Sequence, residues 1–280
     1  AYTYWSAVTG AIGAGILISL IKRIINSNYR EFPYGPFPTL NTTNSFNYEI
    51  CWLYQVVSFT AFGWTCATVD LLICSVLMNI CYQFKVLQNF LKQMVEVSHK
   101  PMVEKQGLPN SEKVEIDTSI VLCKYLEKTL KTAVSYHVAI LDIASEIETT
   151  FSELLLMAFL VTLAILCISV YQMAIATTLT GVVRHLFEGS TAVLQVAIYC
   201  YWGEQVTRES QNVGFSAYNA NFTGSDLKFQ KALVLIIRRS QTPTVITAGG
   251  FTDIGLPTFF WILHTSYSAF MVMRNNSSER

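Results

Sequence analysis

The chain has 280 residues, with nineteen Lys or Arg balanced by nineteen Asp or Glu, so its formal net charge is zero. Hydrophobic residues make up 52% of it and charged residues only 14%, with a mean hydropathy of +0.38. That excludes an ordinary soluble domain of this length and points to a membrane protein, with no nucleic-acid partner expected.

A spanning helix needs roughly 20 mostly apolar residues, because the hydrocarbon layer is about 30 Å thick and each residue rises about 1.5 Å. Five segments meet or approach this. The first runs from about Ser6 to Ile25, and its AVTGAIGAGILISLI offers small residues against which a neighbouring helix packs closely. The second, Val56 to Phe84, exceeds one crossing, so it tilts or projects beyond the membrane. Asp70 interrupts it within WTCATVDLLICSV, where an ionisable group costs several kcal/mol unless it faces the protein interior and finds polar partners. Both a gating role and a helix-fixing hydrogen bond fit that placement.

Between the second and third spans, Lys85 to Ser152 mixes charge with apolar residues at helical spacing. Its flanks, QFKVLQNFLKQMVEV and IVLCKYLEKTLKTAVSYHVAILDIASEIETTF, predict two long amphipathic helices around the turn SHKPMVEKQGLPNSEK, with Ile120, Leu122, Leu126 and Leu130 as core. The third span, Leu154 to Ala176, is the most uniformly apolar. The fourth, Val182 to Trp202, carries Arg184, His185 and Glu188 near its start, with Arg184 and Glu188 spaced to pair along a helix. A polar helix from about Asp226 to Arg239 follows, with Leu233, Ile236 and Ile237 as its buried face. The fifth span, Ile254 to Met273, begins after the helix-breaking GGFTDIGLP and carries Phe259, Phe260, Trp261, Tyr267 and Phe270.

Soluble-enzyme chemistry is poorly represented, and a membrane-bound enzyme or transporter would call for several intramembrane charges or broken midplane helices, a case that Asp70 alone does not make. There is no phosphate-binding glycine loop, HExxH, G-x-S-x-G elbow or CxxC pair, and His99, His137, His185 and His264 are scattered. No metal or cofactor is expected. Cys66, Cys74, Cys81, Cys167 and Cys200 fall in or beside spans, Cys123 in the cytosolic loop, and only Cys51 near the outer face, so no disulfide framework is visible.

The stretch CYWGEQVTRESQNVGFSAYNANF, the later LVLIIRRSQTPTVITAGGF and the closing LHTSYSAFMVM, all between Cys200 and Met273, resemble the C-terminal signature of the insect odorant receptor family. The resemblance implies an all-α polytopic bundle of seven spans, of which this chain, opening at Ala1, would supply the last five. It divides the chain into residues 1–84 (two spans and an outer loop), 85–153 (cytosolic helical loop), 154–202 (two spans), 203–253 (cytosolic anchor helix region) and 254–280 (pore-lining helix and outer tail). With residues 22–52 outside, six Lys or Arg lie outside and thirteen inside, in keeping with the positive-inside tendency, although Lys22 and Arg23 argue the other way. Asn41, in Asn41-Thr42-Thr43, is then an outward glycosylation acceptor.

The family binds volatile organic molecules in an apolar, aromatic pocket inside the membrane. The candidate contacts implied here are Trp5, Ser6 and Thr9 on the first span, Phe59, Phe62 and Gly63 on the second, and Thr178, Val182 and His185 at the start of the fourth. Tyr267, Phe270, Met271 and Arg274 share one helical face of the last span and would form the pore gate, Arg274 departing from the apolar residues usual there. The implied protein is a tuning subunit that binds an odorant, assembles as a heterotetramer with the odorant co-receptor and gates a non-selective cation channel. It would lie among lipids of the plasma membrane of an olfactory neuron's dendrite. The co-receptor itself carries a longer cytosolic insertion. A gustatory-receptor-like channel is the nearer alternative, but its last helix closes on TYhhhhhQF, h being apolar, where this chain reads SYSAFMVMR. A G-protein-coupled receptor would typically bring DRY and NPxxY, which do not occur.

Overall fold

The computed structural model describes residues 2–25, 32, 45–106, 123–176 and 178–278. Among them the chain forms α1 (Tyr2–Ile25), α2 (Ser45–Lys92), α3 (Met94–Gln106), α4 (Cys123–Ile175), α5 (Leu179–Tyr218), α6 (Leu227–Ser240), β1 (Thr247–Ala248), β2 (Thr252–Asp253) and α7 (Leu256–Ser278). The helical membrane architecture is as expected; the short antiparallel β1–β2 pair was not. Asn41, Ile120 and Leu122 lie outside the described residues.

Among the described residues, α1, α2 and α4 each contain a stretch long and apolar enough to cross a membrane. The break expected at GGFTDIGLP is present, as the hairpin before α7, whereas three other helices continue past the expected ends of their apolar runs. The second span runs on through Phe84 to Lys92, the fourth through Trp202 to Tyr218, and the third is fused to the preceding amphipathic segment in one 53-residue helix. No Gly or Pro interrupts that helix, so nothing in its backbone chemistry stops it at the edge of the apolar stretch.

The chain divides into two compact units. The first comprises Ala1–Cys74, Met157–Tyr199 and Pro257–Arg280. In it α1 and α2 pair antiparallel, as successive contacts show. Arg23 pairs with Glu49 beside the Tyr48 and Trp52 rings, and Trp52 Nε1 donates to Ser19 Oγ at 3.1 Å. Farther along, a Cβ on Gly63 would lie 2.7 Å from Ile12 Cδ1, so the missing side chain lets the helices approach.

The second unit comprises Ser75–Leu156 and Cys200–Leu256. Leu77, Ile80, Phe84, Leu87, Leu91 and Met94 are buried at alternating spacings of three and four. Leu126, Leu130, Ala133, His137, Ile140 and Ala144 repeat the pattern on α4, as do Val206, Ser210, Val213 and Ala217 on α5. A mean repeat of about 3.5 is the spacing that keeps one face against a neighbouring helix over many turns, as in coiled coils. Each fully buried Leu or Phe contributes about 1.5–3 kcal/mol. The seam holds one buried carboxylate: Glu209 accepts from Gln88 Nε2 at 2.9 Å and from Asn212 Nδ2 at 3.3 Å, with Lys85 Nζ at 3.7 Å. On α6, Leu233 and Ile236 are buried as expected together with Phe229, Ile237 is half-buried, and Val234 and Leu235 are exposed.

The hairpin turns through Gly249 and Gly250, with φ of 61° and 72° and a Phe251 N–H bond to the Ala248 carbonyl at 3.1 Å. Two successive positive φ values make the tight turn that matches strand twist, which Gly adopts without strain. It is fastened to α4 by Gly249 N–H to the Ser152 carbonyl (2.8 Å) and Thr247 Oγ1 to Glu148 (2.8 Å).

His137, on the part of α4 preceding the apolar stretch, packs edge-on against Phe84 at 6.5 Å. Burial, and secondarily the charge of Arg239, pull its pKa below the ordinary value. The unfolded chain therefore takes up the proton first as pH falls, so stability is unaffected above about pH 6.5 and declines below it. Thermal melting of the purified chain between pH 7.5 and 5.5 should show this decline, and His137→Leu should flatten it.

Candidate functional site

Asp70 is only 8% exposed and accepts three side-chain hydrogen bonds. Tyr199 donates its hydroxyl to Oδ1 at 2.5 Å; Tyr4 donates its hydroxyl to Oδ2 at 2.5 Å, and Gln195 Nε2 donates to the same oxygen at 3.0 Å. One carboxylate on α2 thus ties α1 and α5. Thr162 of α4 adds a longer link, its Oγ1 3.4 Å from Gln195 Oε1. Around the polar groups lies an apolar cluster of Tyr4, Val8 and Ala67 with Ile12, Leu71, Leu194 and Ile198 packed on it. The space among Tyr4, Asp70, Gln195 and Tyr199 admits no water-sized sphere. The expectation that Asp70 faces the interior with polar partners is met. The partners themselves were missed, since a Tyr or Gln in a span gives no sign by itself of which acceptor it reaches.

On the other side of the same two turns of α5 is a cavity of about 500 Å³ between α4 and α5. Its wall is apolar, with Leu166, Val170, Met173 and Val193 prominent, and carries three polar side chains, Ser169, Ser190 and His185. Gly189 and Ala197 leave the room: a Cβ at Gly189 would meet only Ser169 Cβ, at 3.8 Å. His185 Nδ1 lies 3.1 Å from Glu188 Oε2, so Glu188 is met by a neighbour three residues away. Such a shape and lining suit a small, mostly apolar molecule with one polar group. A larger groove of about 680 Å³, between α5 and α6 near Gly214, Phe215 and Ile237, belongs to the second unit. Phe215 and Tyr218 there are exposed, and both this groove and the one between α4 and α5 are open along one side.

The sequence-derived contacts fall in two places. His185 stands in the cavity wall, and Val182 precedes it by one turn on α5. Thr178 caps the start of that helix, its Oγ1 accepting from Gly181 N–H at 3.3 Å. Trp5, Ser6, Thr9, Phe59, Phe62 and Gly63 lie on α1 and α2. Trp5 is half-buried with its ring 5.9 Å from that of Trp64, while Phe59 and Phe62 are exposed. Ser6 and Thr9 are exposed and donate to the Thr3 and Trp5 carbonyls of their own helix, at 2.9 and 2.8 Å. The cavity residues Leu166, Gly189 and Val193 were missed; the run of small side chains around Gly189 and Ser190 was the available signal.

In α7, Thr258, Ile262 and Ser266 form a buried stripe, and Cys167 Sγ lies 3.8 Å from the Ser266 carbonyl. Phe260, Tyr267 and Arg274 recur every seven residues and are exposed, with Phe270 and Met271 half-buried. The Tyr267 and Phe270 rings are 6.3 Å apart.

A family profile described as 7tm Odorant receptor matches residues 2–267. The chain is 31% identical over 147 residues to putative odorant receptor 92a of Drosophila melanogaster, covering 52% of this chain and 36% of that protein. It is 28% identical over 249 residues to odorant receptor 82a of the same species, covering 88% and 58%. The chain spans about half the length of the curated relatives it matches. Its fold is similar to that of the insect olfactory receptor OR5 from Machilis hrabei in complex with eugenol, with a TM-score of 0.79 over 98% of this chain and 65% of that one. At 16% identity this likeness concerns the fold alone.

The two faces of α7 should respond differently to truncation. Ile262→Ala should lower the unfolding free energy of the detergent-purified chain by about 2–4 kcal/mol, whereas Tyr267→Ala should change it by no more than about 0.5 kcal/mol, both read from melting curves.

Proposed function

This chain belongs to the 7tm odorant receptor family, and from that premise we propose that it is a tuning subunit that binds a volatile organic molecule and gates a cation-conducting pore together with an odorant co-receptor. The observation that carries the reading is the apolar cavity of about 500 Å³ between α4 and α5, sized for a small organic ligand. Its few polar groups would orient one hydroxyl, carbonyl or ester, while dispersion along the apolar wall selects shape. The Machilis receptor of similar fold was solved in complex with eugenol, which supports a small organic ligand as the class.

In this reading His185 and Val182 contact the ligand. Trp5, Ser6, Thr9, Phe59, Phe62, Gly63 and Thr178 form further contacts that other helices of the full-length receptor complete. The exposed stripe of α7 through Tyr267, with Phe270, Met271 and Arg274, meets its counterparts in a heterotetramer and constricts the pore by dewetting. Residues 85–153 and 203–253 supply the cytosolic layer, residues 1–84 and 154–202 the ligand-binding spans, and residues 254–280 the pore helix. In the same reading the receptor lies in the plasma membrane of the sensory dendrite, with Asn41 outside.

Whole-cell current from cells expressing the full-length receptor with and without the co-receptor, challenged with a panel of volatiles, tests this. Rapid ligand-evoked cation current that needs the co-receptor and survives block of G-protein signalling is expected; a response abolished by that block would overturn the channel reading. Gly189→Leu fills the cavity and improves helix propensity, so it should preserve surface protein while reducing sensitivity to active volatiles about tenfold.

A further inference from the structure

The same two turns of α5 serve the cavity on one side and the Asp70 carboxylate on the other. Val193, Leu194 and Ala197 line the cavity, while Gln195 and Tyr199, four residues apart, reach Asp70. Leu194 does both jobs, since it also packs on the Tyr4, Val8 and Ala67 cluster. The opposite cavity wall is linked as well, because Thr162 of α4 approaches Gln195 four residues before the lining residue Leu166. A shift or rotation of this part of α5 relative to α2 displaces Gln195 and Tyr199 from Asp70.

We propose that Asp70 is a positioning residue: it braces α5 against α1 and α2 and so sets the ligand concentration at which the receptor opens. This rests on the reading of the chain as a ligand-gated channel subunit and concerns the regulation of that same cavity. The brace is stiff for a physical reason. In a hydrocarbon layer a carboxylate that loses a protein donor gains no water in exchange, and the space beside it admits none. Donors are therefore kept together or lost together, which favours two discrete arrangements over gradual sliding. A ligand that displaces the cavity wall works against these bonds, and part of its binding free energy is spent on them.

The test uses the full-length receptor with its co-receptor in cells, and Asp70→Asn, Tyr199→Phe and Tyr4→Phe. The two Phe variants keep the ring, including the packing of Tyr199 on Phe159 at 6.3 Å, and remove only the donor. Surface level, ligand-free current, half-activating concentration and relative ion permeability are read together. At wild-type surface level the variants should raise the ligand-free current and lower the half-activating concentration by about fivefold or more, with permeability unchanged. Tyr199→Phe should add little in the Asp70→Asn background, since both act through one carboxylate. Concentration-response curves within about twofold of wild type, a shift to higher concentration, or full additivity in the double variant would overturn the brace. If Asp70→Asn does not reach the surface, the Phe variants decide. Intracellular retention of all three beside a surface-expressed Tyr267→Phe control would reduce Asp70 to a folding role and overturn the proposal. A wild-type receptor without ligand-evoked current would fail the channel reading itself, a result visible before any variant is compared.

Discussion

A carboxylate set among apolar helices must be met by donors of its own protein, and the first unit is organised around that requirement. Asp70 draws Tyr4, Gln195 and Tyr199 to one point, from two other helices. Apolar packing alone would fix these helices weakly, because lipid tails solvate a leucine as well as another helix does. Directional hydrogen bonds in a place closed to water have no such competitor. Small residues complete the arrangement: Gly63 lets Ile12 close on α2, and Gly189 keeps α5 from filling the space beside Ser169.

The second unit relies on different physics. Its three stripes at spacings of three and four remove large aliphatic side chains from contact with solvent, and here the hydrophobic effect contributes directly. The buried Glu209 fits the same logic as Asp70 with a different set of partners, an amide, a second amide and a partly exposed ammonium. Gly203 shows how close the packing is: a Cβ there would lie 2.3 Å from the Ile254 carbonyl oxygen, so the helix meets the segment leading into α7 backbone to backbone.

Composition and apolar run length were enough to mark the apolar stretches of α1, α2 and α4, because transfer free energy accumulates residue by residue along the chain; the less apolar α5 and α7 carry no stretch of that strength among the described residues. Asp70 was legible for the same reason, as one term of the wrong sign within such a run. The 3.5-residue stripe on α4 was partly legible through Leu126 and Leu130. Where helices end was not, since an apolar run sets where the membrane begins and ends, while Gly, Pro and caps set where the helix does; α4 has neither Gly nor Pro between Cys123 and Ile175. The hairpin was read only as a helix break, because two glycines report freedom of φ without saying which neighbour fastens the turn, here Ser152 and Glu148. The donors to Asp70 and the cavity wall depend on which faces of distant segments meet, and a single sequence carries that only weakly.

No residue of the cavity wall, from Leu166 to Ala197, takes part in the heptad-like seam of the second unit. Changes of side-chain volume around the cavity therefore fall on residues outside that seam. Such a division of labour lets duplicated copies diverge in the shape of the cavity while each keeps the residues of the packed seam.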